Sequence, residues 1–548
     1  MRPVRPHQVG TLFDELAARG APTTVHLTRP LDIAPGAGTT LDIPTVAAVV
    51  TEAAGWLSAA GVRPGDRVAV IKDNHWDYDL LAFAAVRIGA VPALISARLP
   101  AETMQILLKR LDPALLVTTS PILRAARDGE TDLTALARRT LRLDFPGSSR
   151  EEPDANTPEP GTLCLDDVTG YRAPVAFRRG DHDPLVVNHT SGTTGVPKLV
   201  VHSVDTIINR LAGFEARRWP VLAARRTDTV ASASAFTHGR TFCWTASVFC
   251  LTPRKVLIVA DHDPATAGPL LAAHPPSIME GLPATFVRWL PLAGRPASSN
   301  PFRDVRLYIS TYDAVHPPAV RAFLNASRRR GAMWMHGWGQ TETGPLTFRF
   351  FTRRALSTWA GRHPTTRNAG RPVPGRTRLR VVDPATFAPV PAGKRGLIQA
   401  STRARCLGYV GEADRFAAKC TGEWFNTGDI GVRTRTGAVL LLDREVDMLP
   451  EASCIELEDV IDDRLADVSE CVILSRPGRL PLPVLVTAGG ALDRDAWSAA
   501  VADLPPLAEP IVTTDDRIPR TGTGKVRRGE LRTRFPEAAD TYGTGRWT

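Results

Sequence analysis

The 548-residue sequence lacks several features that would assign it to a specialised class. It has no uncharged apolar run of about 18 or more residues, so no transmembrane helix is expected. The N-terminal arginines are followed by no apolar segment, which argues against a secretory signal. The seven cysteines are dispersed without C-x-x-C spacing, so neither a disulfide framework nor a structural zinc site is predicted. These absences favour a cytoplasmic protein with reduced thiols.

The basic residues are also not clustered in one segment of the sequence. The net charge is +10, but it comes mainly from arginines spread along the chain, and no compact basic and aromatic motif stands out. We therefore expect no nucleic-acid partner. An anionic small-molecule substrate is at least as compatible with this charge.

What the sequence does contain is an alternation of helical and strand-like patterns. Residues 46–61 and 76–90 have helical apolar spacing, whereas 65–74 and 91–96 are β-branched runs. The same rhythm returns in later segments up to residue 310. Such alternation predicts an α/β fold, in which helices cover a parallel sheet.

The C-terminal third has a different pattern. Turn-separated strands predict a β-rich subdomain around residues 371–442. After Asp443, a helical segment and two strand-like runs, "SECVILSR" and "LPVLVTAG", predict a separate small α+β domain. The chain is too long for a typical single domain, which agrees with this division.

One loop suggests phosphate chemistry. The stretch "TSGTTGVPK" at 190–198 places glycines, hydroxyls and Lys198 between two apolar runs. It is not a Walker A loop, because only two residues separate Gly192 from Gly195 and Val-Pro precedes the lysine. Backbone amides, hydroxyls and one ammonium could still surround an anion. A flexible turn with a solvated lysine remains the alternative at this point.

Three further segments carry chemically suited residues. "MHGWGQTETGP" at 335–345 places an indole beside glycines, a threonine and a glutamate. An indole can stack on a purine, and a glutamate can hold Mg²⁺ through oxygen. "WFNTGDIG" at 424–431 offers a carboxylate suited to two ribose hydroxyls, and "PRTGTGKVRR" at 519–528 sets a lysine in a glycine-rich, mobile turn.

Taken in order, these four segments resemble the adenylate-forming superfamily, which comprises acyl- and aryl-CoA synthetases, stand-alone adenylation domains and luciferases. The resemblance runs from about residue 45 to 530 and rests on "SGTTGVPK", "GWGQTETG", "NTGD" and the C-terminal lysine segment. It implies a large N-terminal domain of parallel sheets layered with helices plus a β-rich subdomain, followed by a small mobile α+β domain. It also implies ATP and Mg²⁺ as cofactors.

The resemblance further implies roles for individual residues. The phosphates of ATP would be held by the loop residues Thr190, Ser191, Gly192, Thr193, Thr194, Gly195 and Lys198. Thr341 would contact the α-phosphate, Glu342 would bind Mg²⁺, and Lys525 would bridge the attacking oxyanion and the α-phosphate. The remaining nucleotide-binding residues would be Tyr312, Asp313, Trp338, Gly339, Gln340, Asp429 at the ribose and Arg444 near the hinge.

The substrate pocket is predicted from "ASAFTHGRTFCW" at 233–244, which aligns with the region that bears an aromatic or histidine gate in the family. The candidates are His238, Arg240, Trp244, Trp334, His336 and Gly337. A structural role for a lone loop histidine is the competing interpretation.

The hinge segment departs from the family pattern. The usual G-R-x-K/D-D-x-I-K-x-x-G is replaced by "DREVDMLPEAS", with Asp443 for the glycine and Pro450 for the lysine. Proline restricts the backbone and removes a donor. The altered hinge is therefore expected to affect transfer of the acyl group to CoA and not adenylation. The predicted division of the chain is an ATP- and substrate-binding domain at 1–442, a hinge at 443–450 and a lid with the adenylation lysine at 451–548.

Three functions follow. The first is activation of a small, aromatic or other organic carboxylate as acyl-AMP, with transfer to CoA or the thiol of a carrier protein. The second is an ATP-dependent diazotase of secondary metabolism, which activates nitrite and couples it to an aryl amine without CoA. The third is a non-catalytic nucleotide-binding protein, which retention of Lys525 and Glu342 disfavours.

Overall fold

The computed structural model describes residues 8–144, 161–190, 195–357, 364–447, 449, 452–476 and 478–535. Loop residues 191–194 and hinge residue Pro450, which the sequence singled out, lie outside the described residues. Among the described residues, none of the helices combines the length and the apolar character that crossing a bilayer requires.

The α-helices of the described chain are α1 Leu12–Ala18, α2 Ile43–Ala59, α3 Asp77–Arg87, α4 Ala101–Leu111, α5 Ser120–Asp128, α6 Gly213–Glu215, α7 Gly239–Leu251, α8 Pro264–Ala273, α9 Pro283–Arg288, α10 Leu290–Ala293, α11 Pro317–Ala326, α12 Ala413–Ala417, α13 Cys454–Arg464, α14 Arg494–Ala500 and α15 Arg528–Arg534. A π-helix, Val204–Ala212, precedes α6.

The strands are β1 Thr24–Leu27, β2 Thr40–Asp42, β3 Arg67–Lys72, β4 Val91–Ser96, β5 Leu115–Thr118, β6 Arg139–Arg142, β7 Thr162–Leu163, β8 Pro184–His189, β9 Leu199–Ser203, β10 Thr229–Ala233, β11 Lys255–Ile258, β12 Ile278–Gly281, β13 Leu307–Ser310, β14 Met333–Gln340, β15 Gly344–Phe351, β16 Asn368–Pro372, β17 Thr377–Val382, β18 Arg395–Thr402, β19 Gly408–Tyr409, β20 Cys420–Thr421, β21 Trp424–Arg433, β22 Val439–Arg444, β23 Val468–Leu474, β24 Leu482–Thr487 and β25 Ile511–Thr513.

The predicted alternation of helices and strands is confirmed. Asp42 is the N-cap of helix α2, because its carboxylate accepts a hydrogen bond from the Thr45 amide at 2.8 Å. Strands β3 and β4 are buried almost throughout. Continuous burial of β-branched runs is typical of central parallel strands, which helices cover on both faces.

The chain forms two compact units. The first comprises Met1–Glu280, Thr341–Gly344 and Arg403–Ala417. One of its sheets has the order β19-β9-β8-β4-β3-β5-β6-β7, in which β4 and β8 are parallel and β8 and β9 antiparallel. Its other strands follow the order β12-β10-β11-β1-β2. Because β4 and β8 run parallel, their carboxyl ends meet at one edge, the usual position of ligand sites in such sheets.

The second unit comprises Gly281–Gln340, Pro345–Thr402 and Ala418–Thr548. Its large sheet has the order β17-β18-β21-β22-β16-β15-β14-β13, with β20 beside β21. Strands β17, β18, β21 and β22 supply the β-rich region predicted around 371–442. A three-stranded sheet, β23-β24-β25, lies with α13 and α14 in the C-terminal segment. The division of the chain into a domain, a hinge at 443–450 and a lid stays a prediction.

Candidate active site

The ends of the predicted phosphate loop are fastened together in the first unit. The loop joins antiparallel β8 and β9, and the Thr190 amide donates to the Lys198 carbonyl at 3.0 Å. The Lys198 amide in turn donates to the Thr190 hydroxyl at 3.1 Å. Gly195 has a φ of +127°, which side chains rarely allow. The predicted residues Ser191, Gly192, Thr193 and Thr194 lie outside the described residues.

A buried histidine anchors the start of this loop. The Nε2 atom of His189 accepts the Ser96 backbone amide at 3.1 Å, so its Nδ1 carries the hydrogen and donates to the Thr190 carbonyl at 2.7 Å. Burial lowers the pKa of His189, which keeps the ring neutral. The ends of β4 and β8 are thereby joined directly below the loop.

Glu342 is the acidic centre of the first unit. Its Oε1 accepts a hydrogen bond from the Tyr409 hydroxyl at 2.8 Å and lies 3.5 Å from Lys198 Nζ. The same ammonium lies 5.1 Å from the centre of the Tyr409 ring. Burial and the adjacent carboxylate raise the pKa of Tyr409, so its hydroxyl remains a donor. The site therefore brings together a fixed carboxylate, an ammonium and a phenol.

Thr341 precedes Glu342 and contacts two histidines. His202 Nε2 lies 2.8 Å from the Thr341 carbonyl, and His238 Nε2 lies 3.3 Å from the Thr341 hydroxyl. Burial lowers the pKa of His202. The segment ends at Gly344, which has a φ of +64°, and a Cβ there would lie 2.6 Å from a Leu211 methyl group.

Helix α7 carries the other predicted pocket residues of the first unit. His238 caps its N-terminus, and the partly buried Arg240 makes a bidentate ion pair with Glu280 at 2.7 and 2.8 Å. Arg240 also bonds Glu215 at 2.6 Å. Burial raises the pKa of Glu280, against the effect of the guanidinium. Arg240 is thus already engaged by two carboxylates, and Trp244 is buried in the same helix.

The second unit contains a cavity that brings many of the predicted nucleotide-binding residues together. The predicted residues that line it are Tyr312, Asp313, His336, Gly337, Trp338, Gly339, Asp429, Arg444 and Lys525. Its remaining lining includes both basic and acidic side chains, such as Arg528 and Asp443. This concave, mixed surface can accept a polar, anionic ligand.

Trp338 and Tyr312 are the large aromatic residues that line this cavity. Trp338 packs on apolar residues that include Leu346 and Ala369, and 8% of its surface is exposed. Tyr312 has a φ of +82°, a conformation that is costly for any residue except glycine. Such strain is concentrated at ligand-binding and catalytic sites.

The ribose candidate Asp429 is held by two neighbours. Gln340 Nε2 donates to its Oδ2 at 3.1 Å, and Arg444 Nη1 lies 3.2 Å from its Oδ1. Asp429 and Arg444 are direct cross-strand partners on β21 and β22. The carboxylate is therefore held in one orientation, as an acceptor for paired hydroxyls requires.

Strand β14 carries the predicted residues Trp334 and His336, which have different surroundings. The Ser310 hydroxyl contacts both, at 2.8 Å from the indole nitrogen and 3.0 Å from His336 Nδ1. Trp334 is fully buried and stacks on Tyr308 at 5.4 Å, whereas His336 reaches the cavity. Burial lowers the pKa of His336 to about 4, so it is neutral at pH 7.

Lys525 lies in a closed turn. The Thr521 amide donates to the Lys525 carbonyl at 2.8 Å, and the Lys525 amide donates to the Thr521 hydroxyl at 3.1 Å. Gly524, with a φ of +79°, permits this turn. The glycine-rich pattern thus forms a specific turn that presents the lysine to the cavity.

The predicted hinge begins at Asp443. Its Oδ1 accepts the Cys454 amide at 2.8 Å, and Ser453 Oγ donates to the Leu442 carbonyl at 2.7 Å. Burial raises the pKa of Asp443 to about 7. Pro450 lies outside the described residues, so the effect predicted for it stays a prediction.

Sequence reasoning missed three residues of the first unit: His189, His202 and Tyr409. His189 and His202 lie in the two strands that flank the glycine-rich loop, and this placement is the signal that the sequence offers. Tyr409 lies 67 residues from Glu342 and has no local signal.

Comparisons with known proteins identify the family of this chain and its fold. The family model described as AMP-binding enzyme matches residues 15–410. The chain is 36% identical to a 3-amino-2-hydroxy-4-methoxybenzoate diazotase of Streptomyces cremeus, covering 95% of this chain and 94% of the relative. It is 28% identical to a long-chain-fatty-acid–CoA ligase of Thermus thermophilus, covering 88% and 87%. In fold it is similar to an anthranilate CoA ligase solved with anthranoyl-AMP, with a TM-score of 0.77, 19% identity and coverage of 96% and 97%.

Proposed function

We propose that this chain, which belongs to the family of AMP-binding enzymes and is an ATP-dependent, adenylate-forming ligase, activates nitrite and joins it to an aryl amine. The observation that carries the proposal is the 36% identity to a diazotase along 95% of the chain. The CoA ligase relative reaches only 28%. This comparison favours the second function predicted from the sequence over carboxylate activation.

The proposed reaction has two chemical steps. A nitrite oxygen attacks the α-phosphorus of ATP, and pyrophosphate leaves, giving a mixed anhydride of nitrite and AMP. The amine nitrogen then attacks the nitroso nitrogen, the N–O bond breaks, and AMP leaves with the former nitrite oxygen. Loss of a proton gives an N-nitrosamine, which tautomerises, gains a proton and releases water to become the diazonium ion.

The second unit's cavity has groups suited to the nucleoside part of ATP. Trp338 offers an indole face for the adenine, and Asp429 offers a carboxylate for the ribose hydroxyls. Arg444 forms an ion pair with Asp429 at 3.2 Å and is itself a cavity residue. Tyr312 and Asp313 would complete the adenine wall.

The first unit's residues suit the polyphosphate. We assign the loop Thr190–Lys198 to the β- and γ-phosphates and the Thr341 hydroxyl to the α-phosphate. Glu342 suits Mg²⁺, which is usually bound through one or two carboxylates together with substrate phosphates. When bound, Mg²⁺ would neutralise phosphate charge.

Lys525 is assigned to the attacking anion. Both nitrite and the α-phosphate are negative, so their approach is repulsive unless a cation neutralises the developing charge. An ammonium can serve a small oxyanion as well as a carboxylate. The retention of this lysine therefore supports adenylation without specifying the acid.

Carboxylate activation with transfer to CoA or a carrier protein is the alternative candidate, and the weaker, 28% identity to a CoA ligase is the observation behind it. Both candidates share pyrophosphate release and differ in the acid and the acceptor. For an aryl amine the acceptor nitrogen needs no pantetheine channel, so the altered hinge would not impair the second step.

The test is release of pyrophosphate and AMP by the purified protein at pH 7.5 with nitrite or a panel of benzoates, each with an aminohydroxybenzoate or CoA. We expect release with nitrite, and capture of the diazonium ion as an azo dye when the amine is present. Release of pyrophosphate and AMP that requires a benzoate and consumes CoA would instead establish carboxylate activation with transfer to CoA.

A further inference from the structure

His238 uses both nitrogens of its ring, and its backbone contact fixes which one carries the hydrogen. Its Nδ1 accepts the Arg240 amide hydrogen at 3.1 Å at the start of α7. A backbone amide can only donate, so Nδ1 carries no hydrogen and the neutral ring has its hydrogen on Nε2. Nε2 lies 3.3 Å from Thr341 Oγ1. His238 therefore donates to the threonine hydroxyl.

A second histidine fixes the backbone of the same residue. The His202 Nε2 donates to the Thr341 carbonyl at 2.8 Å, and its Nδ1 lies 3.1 Å from the Thr206 hydroxyl. His202 is buried, and burial lowers its pKa. Thr341 is thus held at its carbonyl by one strand and at its hydroxyl by a helix cap.

The contact with His238 also limits what the threonine hydroxyl can do with its own hydrogen. The Thr341 oxygen accepts from His238, so its hydrogen is available for donation to another group. Among the described residues, no protein atom accepts it, and the side chain is only half-buried. The hydroxyl can therefore donate to a ligand.

We propose that His238 is a positioning residue that aims the Thr341 hydroxyl at an α-phosphate oxygen. This inference rests on the proposed function for the role of Thr341 and adds to it the partner that orients the hydroxyl. It also gives His238 a role other than that of a pocket gate. A hydrogen bond to a charged oxygen has a larger effect than a neutral one, so its loss should be measurable in binding.

The test is a double-mutant cycle on nucleotide binding, read by calorimetry with AMP and, as the phosphate-free control, adenosine. His238→Asn keeps a short acceptor suited to the helix cap but cannot reach Thr341. Thr341→Val keeps the shape and removes the hydroxyl. We expect each variant to bind AMP about tenfold more weakly, the double variant to be no weaker than either single one, and adenosine affinity to be unchanged.

A conservative variant separates positioning from a purely structural role. His238→Gln restores a donor near the position of Nε2 and is a poorer cap, so we expect it to regain most of the AMP affinity. Three results would each overturn the proposal. One is wild-type AMP affinity in His238→Asn. The others are an AMP affinity about a hundredfold below wild type in the double variant, and an AMP affinity of His238→Gln that is no higher than that of His238→Asn. If His238→Asn does not fold, the AMP affinities of His238→Gln and Thr341→Val are compared instead. The proposal then predicts that His238→Gln binds AMP more tightly than Thr341→Val, and equal affinities would overturn it.

The failure of the proposed function would look different. Wild-type protein that releases no pyrophosphate with nitrite would contradict nitrite activation, while the binding cycle with AMP would still decide the role of His238. Wild-type protein that binds adenosine and AMP equally well would contradict the inference, because the α-phosphate would then have no donor.

Discussion

The Tyr409 hydroxyl lies 2.8 Å from Glu342 Oε1 and donates to it, while Lys198 Nζ lies 3.5 Å from the same oxygen. Two donors on one oxygen fix the orientation of this buried carboxylate. Tyr409 packs edge-on against Phe416 at 5.1 Å, which holds the phenol in place. Glu342 is therefore pre-oriented before any cation or phosphate binds.

Tyr409→Phe should impair the enzyme without unfolding it. The substitution removes only the hydroxyl, so Glu342 loses a donor worth about 1 kcal/mol and becomes less well oriented. We expect about tenfold slower pyrophosphate release and a higher Mg²⁺ concentration at half-maximal rate. Tyr171→Phe, at an exposed tyrosine, is the matched control and should match wild type in both. An unchanged Mg²⁺ dependence in Tyr409→Phe would contradict the role given to this contact.

Gly344→Ala should destabilise the segment that carries Thr341 and Glu342. Its φ of +64° disfavours a side chain, and the added Cβ would lie 2.6 Å from a Leu211 methyl. We expect a loss of about 1–3 kcal/mol, seen as a lower thermal midpoint, with reduced activity. Gly375→Ala has a similar φ of +68° but an open surrounding, so its loss should be smaller. Leu211→Ala should restore part of the stability of Gly344→Ala, and no restoration would exclude the steric explanation.

The sequence predicted the parts of the site that depend on local pattern. The glycine-rich turn that contains Gly524 and Lys525 and the strands around Asp429 come from segments with their own glycine and strand signals, whereas the pairing of Asp429 with Arg444 is given only by the structure. The contacts of Thr341 with His202 and His238 span 139 and 103 residues. Such pairs depend on which strands become neighbours, and one sequence gives no signal for that.

Trp334 shows that strand alternation alone does not predict which residues line the cavity. Residues 334, 336 and 338 share one face of β14, since side chains alternate along a strand. The pattern alone cannot say how far along that face the cavity extends. The structure brings His336 and Trp338 to the cavity and stacks Trp334 on Tyr308 in the core.

The contact between His316 and Asp459 should make the stability of the second unit depend on pH. Nδ1 of His316 lies 2.8 Å from Asp459 Oδ1 and 3.9 Å from Asp462. Burial alone would lower the pKa of His316, but the hydrogen bond to Asp459 and the neighbouring carboxylates outweigh it and raise the pKa to about 10. Because the folded pKa exceeds the unfolded value of about 6.5, the stabilisation is complete below pH 6.5 and is lost as pH rises to 10.

We therefore expect His316→Gln to lower the thermal midpoint strongly at pH 6 and much less at pH 10. His182→Gln, at an exposed histidine, should have no effect at either pH. A difference between wild type and His316→Gln that is the same at both pH values would show that the histidine is not charged in the folded protein.

Lys525→Ala should slow adenylation far more than it weakens nucleotide binding. The ammonium is assigned to charge that develops as the anion attacks, so its removal should cost at least about a hundredfold in pyrophosphate release. AMP affinity should change by less than about threefold, because Lys525 acts mainly on the reacting centre. Lys394→Ala removes an exposed lysine and is the matched control. An equal loss of affinity and rate would make Lys525 a binding residue only.

Transfer of an oxygen atom from nitrite to AMP tests the central claim most directly. If nitrite attacks the α-phosphorus and the amine later breaks the N–O bond, AMP keeps one oxygen of the nitrite. With ¹⁸O-labelled nitrite, ATP and an aminohydroxybenzoate in unlabelled water, we expect mass spectrometry to find AMP that carries one ¹⁸O atom, formed together with the diazonium ion and formed at least about a hundredfold more slowly by Lys525→Ala. Unlabelled AMP under these conditions, with label transfer only from an ¹⁸O-labelled benzoate, would contradict nitrite activation and identify the chain as a carboxylate-activating ligase.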